Sequence, residues 1–283
     1  MTFVVSQSPV LMPRTLAEAL VLRAAHPEAL PLAGGTDVMV YLESGVLNPA
    51  RFLNLWGLPG LSGITSTPDG GLRIGALTTH TDVARSAAVR AVAPILAEAS
   101  ATVGALQIQN RGTLGGNIVN ASPAGDTLPV LLALDAVFEL ESAARGSRKV
   151  PASAFWLGYR KMDLAPDELL VAVHLPPRHP GDRTAFRKVG TRQAQSISKV
   201  ILGLRVRIGD NGAVTEARVA FGSVAATPVR ASSVEAALLG RRGDDLSAVA
   251  DAAGADIHPI DDVRSTAGYR RKVAINVLRS ALG

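Results

Sequence analysis

The sequence predicts an α+β chain in two parts, a larger first domain over residues 1–177 and a smaller strands-then-helices domain over residues 184–283. Two observations carry that reading. Short apolar runs alternate with capped amphipathic segments as far as Pro176-Pro177, and the Pro/Gly-rich stretch Arg178-His-Pro-Gly-Asp-Arg183 then reads as a linker. The chain is also 283 residues long, 47% hydrophobic and 19% charged, which is enough to bury a core without covalent staples.

The elements follow in order. Thr15-Leu-Ala-Glu18 is a capping box, with Leu16, Leu20 and Val21 as an apolar stripe that Pro27 ends. Leu30–Ala33 reads as a short strand leading into Gly34-Gly35-Thr36-Asp37, after which Val38–Leu42 opens a helical turn. Asp69-Gly70-Gly71 is a turn before the strand Leu72–Ala76. Thr79-His-Thr-Asp82 starts another helix, and the Ala-rich stretch it opens ends near Gly104. Small residues dominate Gly104–Gly125, a buried pattern resumes over Thr127–Leu140, and Gly146 starts a basic turn. Leu169–Leu175 is a strand.

In the second part, Leu202, Leu204, Val206 and Ile208 alternate with Gly203, Arg205 and Arg207, the pattern of a half-buried strand. Gly209-Asp-Asn-Gly212 turns it into Val214–Phe221, making a hairpin. Ser232-Ser-Val-Glu235 caps a helix. A last helix near Ala267–Leu282 is apolar at Val273, Val277 and Leu278 and basic at Arg270, Arg271 and Lys272.

Composition excludes several chemistries. With no cysteine there is no disulfide framework, thiolate metal site, catalytic thiol or cysteine-ligated iron–sulfur cluster in this sequence. The net charge of +5 comes mostly from scattered arginines with few aromatics between them, which argues against nucleic acid as a partner. Leu128–Leu140 is the longest apolar candidate, and Pro129, Asp135 and Glu139 interrupt it, so no membrane span is expected. The N-terminus lacks the pattern of a secretory leader, and a cytoplasmic location is the expectation. Nucleophile elbows, phosphate-binding P-loops, dinucleotide fingerprints and zinc-helix motifs are all missing. The five histidines (His26, His80, His174, His179, His258) stand alone, so no metal site is expected, and His174 reads as a packed or edge residue of its strand.

Two glycine loops remain. The first is Leu32-Ala-Gly-Gly-Thr-Asp37; the second is Arg111-Gly-Thr-Leu-Gly-Gly-Asn117, followed by Ala121-Ser-Pro-Ala-Gly-Asp126. Glycine pairs remove Cβ atoms, so that consecutive amides can turn toward one anion. Thr36, Thr113, Asn117 and Ser122 add short donors, and Asp126 an acceptor. Such loops are equally read as tight turns, with Asp37 and Asp126 as helix caps. Two together point to a nucleotide with two phosphates.

These residues resemble the FAD-binding medium subunit of molybdenum hydroxylases, the family of xanthine dehydrogenase and carbon monoxide dehydrogenase. Ala33-Gly-Gly-Thr-Asp-Val38 is similar to its first flavin loop, and Arg111–Asn117 with Ser122–Asp126 to its second. The likeness continues at Phe186–Arg192, Ile197–Val200 and Tyr269–Lys272. It implies a two-part FAD fold of the vanillyl-alcohol-oxidase (PCMH) type over 1–177, and a small carbon monoxide dehydrogenase flavoprotein-type domain of three strands and helices over 184–283.

By the same resemblance, Leu32, Ala33, Gly34, Gly35, Thr36, Asp37, Val38 and Met39 would cradle the pyrophosphate. Thr113, Leu114, Gly115, Gly116 and Asn117, with Ser122, would make the second phosphate and ribose contact. Asp126, Leu170 and Lys188 would lie on the flavin side. Val103 stands where some members place a phenylalanine against the isoalloxazine, and Ser196-Ile197 where the family shows Asp-Ile.

FAD is expected to be non-covalent, since neither loop holds a cysteine or histidine, and no catalytic acid or base is expected in this chain. Molybdopterin and [2Fe–2S] clusters would sit on a separate large and a separate small subunit, with FAD passing electrons to NAD⁺, a quinone or oxygen. The Phe186–Lys199 run is closer to purine-oxidising members. Subunits for carbon monoxide, aldehydes or N-heterocycles, a stand-alone flavin oxidase, and a scaffold without flavin are the alternatives.

Overall fold

A computed structural model describes residues 8–283; the first seven residues, on which part of the expected absence of a leader rests, lie outside them. The chain opens with β1 (Val10–Leu11), α1 (Leu16–Ala25), β2 (Leu30–Leu32), α2 (Thr36–Glu43) and β3 (Phe52–Asn54). The three strands form a parallel sheet in the order β1-β3-β2. The Thr15 half of the capping box forms, its hydroxyl accepting from the Glu18 amide at 3.2 Å, while the Glu18 carboxylate accepts from the Arg14 amide rather than that of Thr15. Of its expected stripe only Leu20 is buried, beside Ala19; Val21 faces outward.

The second layer runs β4 (Ile64–Ser66), β5 (Leu72–Gly75), α3 (His80–Arg85), α4 (Ala87–Val92), α5 (Pro94–Ser100), α6 (Leu106–Gln109), α7 (Leu114–Asn120), α8 (Leu128–Ala133), β6 (Val137–Ser142), β7 (Gly146–Pro151), α9 (Ala152–Phe155), β8 (Trp156–Gly158), β9 (Lys161–Met162) and β10 (Leu169–Leu175). Its five-stranded antiparallel sheet has the order β4-β5-β10-β6-β7. The Ala-rich stretch is three short helices rather than one, because Ser86 and Pro94 each restart the chain. Gly146 opens a strand instead of a turn, pairing Ser142 across the hairpin. Phe138, Phe155 and Trp156 meet edge to face at centroid distances of 4.9–5.6 Å and fill one end of the core.

The third layer comprises β11 (Asp182–Val189), β12 (Val200–Ile208), β13 (Val214–Gly222), β14 (Val229–Arg230), α10 (Ser232–Leu238), a 3₁₀ segment (Gly243–Ala255) and α11 (Ala267–Leu282). The sheet has four strands, not three, since Val229–Arg230 pairs with Ala220–Phe221. No hydroxyl caps α10; Glu235 instead accepts from the Val219 amide and pairs with Arg230. The linker is short, because Asp182 within it is buried, begins β11 and pairs with Arg207 at 2.8 Å.

One face of β12–β13 packs on α10 and α11. The other face, read from the alternation as solvated, is covered by α8. Gly203 lies so close to that helix that a Cβ there would sit 2.9 Å from the Pro129 carbonyl oxygen. Beyond this floor of small residues Arg205, 7% exposed, donates to the Ala133 carbonyl oxygen and to Asp135 and Glu216. Asp135, in the left-handed region (φ 50°), also receives Arg218 and Arg230. Arg270 of α11, expected on a basic face, is likewise buried, donating to the Ser223 carbonyl and to Asp262 at 2.7 Å each. A buried guanidinium is tolerated because most of its donors are taken up; at Arg270 the two terminal nitrogens are, and the buried Nε meets no acceptor among the described residues.

This arrangement predicts that Arg205→Met, which leaves Asp135 and Glu216 beside a neutral chain, lowers stability by about 3 kcal/mol in urea unfolding. A loss under about 1 kcal/mol would show that the lattice is only a surface ion network.

Candidate functional site

The two glycine loops meet. A Cβ on Gly34 would overlap the Arg111 carbonyl oxygen outright, so only glycine lets the first loop press on the second. Gly35 has φ +77° and serves as the N-cap of α2, a left-handed position that suits glycine. The amides of Gly34, Gly35, Thr36 and Asp37 donate to no acceptor among the described residues. They are the unsatisfied donors that a helix start leaves, and they collect partial positive charge. Thr36 closes the seam, its Oγ1 being 3.4 Å from where a Cβ on Gly112 would lie.

The second loop is built differently from the expectation of free amides. The amides of Leu114 and Gly115 donate to the Thr78 and Ala76 carbonyls, at 3.0 and 2.8 Å. Those of Gly116 and Asn117 go to the Thr113 hydroxyl and carbonyl. These bonds pin α7 to the segment after β5. What the loop offers is a surface without side chains: a Cβ on Gly115 would sit 2.6 Å from the Ala76 oxygen, while one on Gly116 would meet only the Thr113 hydroxyl.

Asn117 joins this seam to the next cluster, since its Oδ1 accepts from the Thr127 hydroxyl at 2.7 Å. Residues 122–126 form a turn in which the Ser122 hydroxyl accepts from the Ala124 amide. The third layer clamps that turn: Ser223 donates its amide to the Pro123 carbonyl, and Ser198 its hydroxyl to the Ala124 carbonyl. Lys188 of β11 donates to Asp126 at 2.6 Å and to the Thr102 carbonyl at 2.9 Å. Asp126 caps no helix.

Lys188, Asp126 and the Thr102-Val103 segment are thus brought together. Leu170 is buried in β10, against which α7 packs. Met39 lies beside Gly35 within the first loop and is 54% exposed. Sequence reasoning missed Thr102, Ser198, Ser223 and the Ala76–His80 segment, whose site contacts are largely through backbone.

Burial dominates the Asp126 carboxyl and pushes its pKa up to about 6, the Lys188 ammonium pulling it the other way. Its Oδ1 is buried and receives no hydrogen bond among the described residues, although the Ser198 and Thr102 side chains lie near the carboxyl and also favour its charged form. An unfolded aspartate titrates near 3.8, so the raised folded value makes its stabilising effect fully present below about pH 4. That contribution is lost as the pH rises to about 6. The melting temperature of the cofactor-free chain relative to Asp126→Asn should therefore fall between pH 4 and 6 and level off above. A difference that is flat across this window contradicts the assignment.

Residues 5–178 match the family described as FAD binding domain in molybdopterin dehydrogenase, and residues 185–283 match the CO dehydrogenase flavoprotein C-terminal domain. The chain is 39% identical over 224 residues to the xanthine dehydrogenase FAD-binding subunit of Escherichia coli O157:H7, covering 78% of this chain and 75% of that one. It is 34% identical to the glyceraldehyde dehydrogenase medium chain of Sulfolobus acidocaldarius, covering 92% and 91%. The carbon monoxide dehydrogenase structure from Hydrogenophaga pseudoflava superposes with a TM-score of 0.92 at 31% identity, covering 97% and 96%. Two matched domains, the shared two-part fold and the paired glycine loops lead to one conclusion: the chain belongs to the FAD-binding medium subunits of the molybdenum hydroxylases, which are oxidoreductase components.

Proposed function

We propose that this chain is the flavin subunit of a xanthine dehydrogenase-like hydroxylase, passing electrons from the [2Fe–2S] clusters of a small subunit through non-covalent FAD to NAD⁺ or another acceptor. The substrate is oxidised on a molybdopterin-binding large subunit, and the assembly is cytoplasmic. The likeness to a xanthine dehydrogenase subunit supports the purine reading. The similarity to glyceraldehyde and carbon monoxide dehydrogenase chains keeps aldehyde and carbon monoxide oxidation as the second reading. Among the described residues, no helix is long and apolar enough to cross a membrane.

The residues suit a dinucleotide. The observation that carries the reading is the seam at Gly34 and Arg111, a side-chain-free cradle edged by four unused amides. Leu32–Met39 would hold the diphosphate by amide hydrogen bonds and by the field of the α2 start. Thr113–Asn117 with Ser122 would form the opposite wall. At the other end the Asp126 Oδ1, which receives no hydrogen bond among the described residues, is an acceptor for a ring N–H, and Lys188 fixes that carboxylate by holding its other oxygen. Leu170 and Val103 would bound the ring apolarly. Bound FAD supplies exchange of both one and two electrons. The protein's part is to hold the ring, shield it and keep the Asp126–Lys188 pair in register.

Purified protein should show flavin absorbance, with about one FAD per chain released by acid. Gly116→Val should weaken FAD binding about tenfold or more, as bulk enters the side-chain-free wall, and should also lower the cofactor-free melting temperature somewhat, because its Cβ presses on the Thr113 hydroxyl that caps α7. A colourless protein that takes up no added FAD contradicts the reading, and a folded Gly116→Val chain with full FAD content removes the second loop from the site.

A further inference from the structure

The proposed site seats the flavin ring and the diphosphate of a dinucleotide and leaves its adenosine half without a wall. That half has to lie within a ribose of the Gly34–Asp37 amides. The strands of the first sheet are parallel and ordered β1-β3-β2, so the connections reverse direction at β3 and the three carboxyl ends open on one side. Ligands of parallel sheets gather at such a reversal. Here the ends lead into Met12, the Gly34 loop and Trp56. Asn54, the last residue of β3, ties them together. Its side chain donates to the Met12 sulfur at 3.5 Å and accepts from the Trp56 amide at 3.2 Å. Next to it the Leu55 amide donates to the Leu32 carbonyl at 2.8 Å, which sets Trp56 beside the entry to the first loop.

Arg111 spans this edge. Its carbonyl is the group on which Gly34 presses, and its guanidinium lies over the Trp56 ring, 3.9 Å from the centroid. Arg111 is exposed and Trp56 half-buried. Among the described residues the guanidinium makes no hydrogen bond and no ion pair, and no second ring meets it. The other such stack is different: the Arg160 guanidinium, 5.0 Å over the Tyr41 ring, is fastened by a 2.7 Å hydrogen bond to the Tyr41 hydroxyl and meets Tyr159 as well. Arg111 therefore rests one face on an indole and turns the other to solvent, with its N–H donors unused. The surroundings are open, since a Cβ on Gly57 would meet nothing within 4 Å and Met12 is 64% exposed. An exposed cation–π pair adds little to stability, so the fold alone has small need of it.

We propose that Arg111, laid on Trp56, is the stacking floor for the purine base of the bound dinucleotide, an adenine subsite at the carboxyl ends of β1 and β3. The inference rests on the FAD reading above. Guanidinium planes stack on nucleobases as they do on indoles. Trp56 holds the plane in place before the ligand arrives, which lowers the cost of ordering a long side chain on binding. Because the Arg111 backbone is fixed at Gly34, one residue sets the base and the diphosphate relative to each other.

The test uses the full chain, freed of cofactor, as wild type, Arg111→Leu and Arg111→Lys. FAD affinity is read by quenching of flavin fluorescence, with ADP and inorganic pyrophosphate as displacing ligands. In wild type ADP should displace FAD at a concentration about tenfold or more below that of pyrophosphate, because it adds the base. Both variants lack the flat plane and should weaken FAD and ADP about tenfold, leave pyrophosphate within about twofold, and keep the cofactor-free melting temperature. Wild-type chain on which ADP is no better than pyrophosphate overturns the proposal without any variant. An Arg111→Lys chain that binds as wild type, or a loss that pyrophosphate shares equally, marks a charge on the phosphates and overturns it as well. Unchanged FAD and ADP affinities in Arg111→Leu, whatever its melting temperature, leave only a structural stack and do the same. Wild type that takes up no FAD at all refutes the FAD reading itself, which the variants alone do not address.

Discussion

The site depends on one missing atom. At Gly34 the backbone of the first loop lies directly against the Arg111 carbonyl, and any side chain would drive the loops apart. That contact fixes the direction of the α2 start, and with it the four amides that no acceptor takes among the described residues. It holds only because the second loop is itself immobilised, its own amides being used by Ala76, Thr78 and Thr113. One loop is therefore the donor and the other its rigid backing. A tight turn has no need of that division, whereas a ligand between the loops does.

The third layer completes the site rather than hanging from it. Lys188, Ser198 and the Ser223 amide all bind the 122–126 turn, and each comes from β11, β13 or their flanking loops. The same sheet is fastened to α8 by the Gly203 floor and the arginines around Asp135. Arg270 extends the link from Ser223 to Asp262. Holding a buried lysine against a buried aspartate requires a firm frame, because a charge left unpaired there is strongly unfavourable. The shared apolar core, in which Phe186, Ile201 and Ala220 join residues of the first domain, provides it.

Local signals were legible where they depend on neighbours in sequence. The Thr15 cap, the Gly35 turn, the hairpin at Gly209–Gly212 and the seam-forming glycine pairs all follow from short-range stereochemistry. Long-range coverage was not legible. Arg205 and Arg207 alternate with aliphatic residues as on any half-solvated strand, and nothing local shows that α8 covers the polar face. The second loop illustrates the same limit within the site: its glycines were visible, but the carbonyls of Ala76 and Thr78 that take their amides lie over thirty residues away.

The central claim is that the close approach at Gly34 builds the cofactor cradle. Calorimetric titration of FAD into the cofactor-free Gly34→Ala chain, beside a Gly268→Ala control with open space around its Cβ and no left-handed backbone, tests it most directly. The account predicts that Gly34→Ala loses FAD binding by about a hundredfold or more while the control binds as wild type. A folded Gly34→Ala chain that binds FAD with wild-type affinity would contradict it, and the paired loops would then be turns that happen to touch.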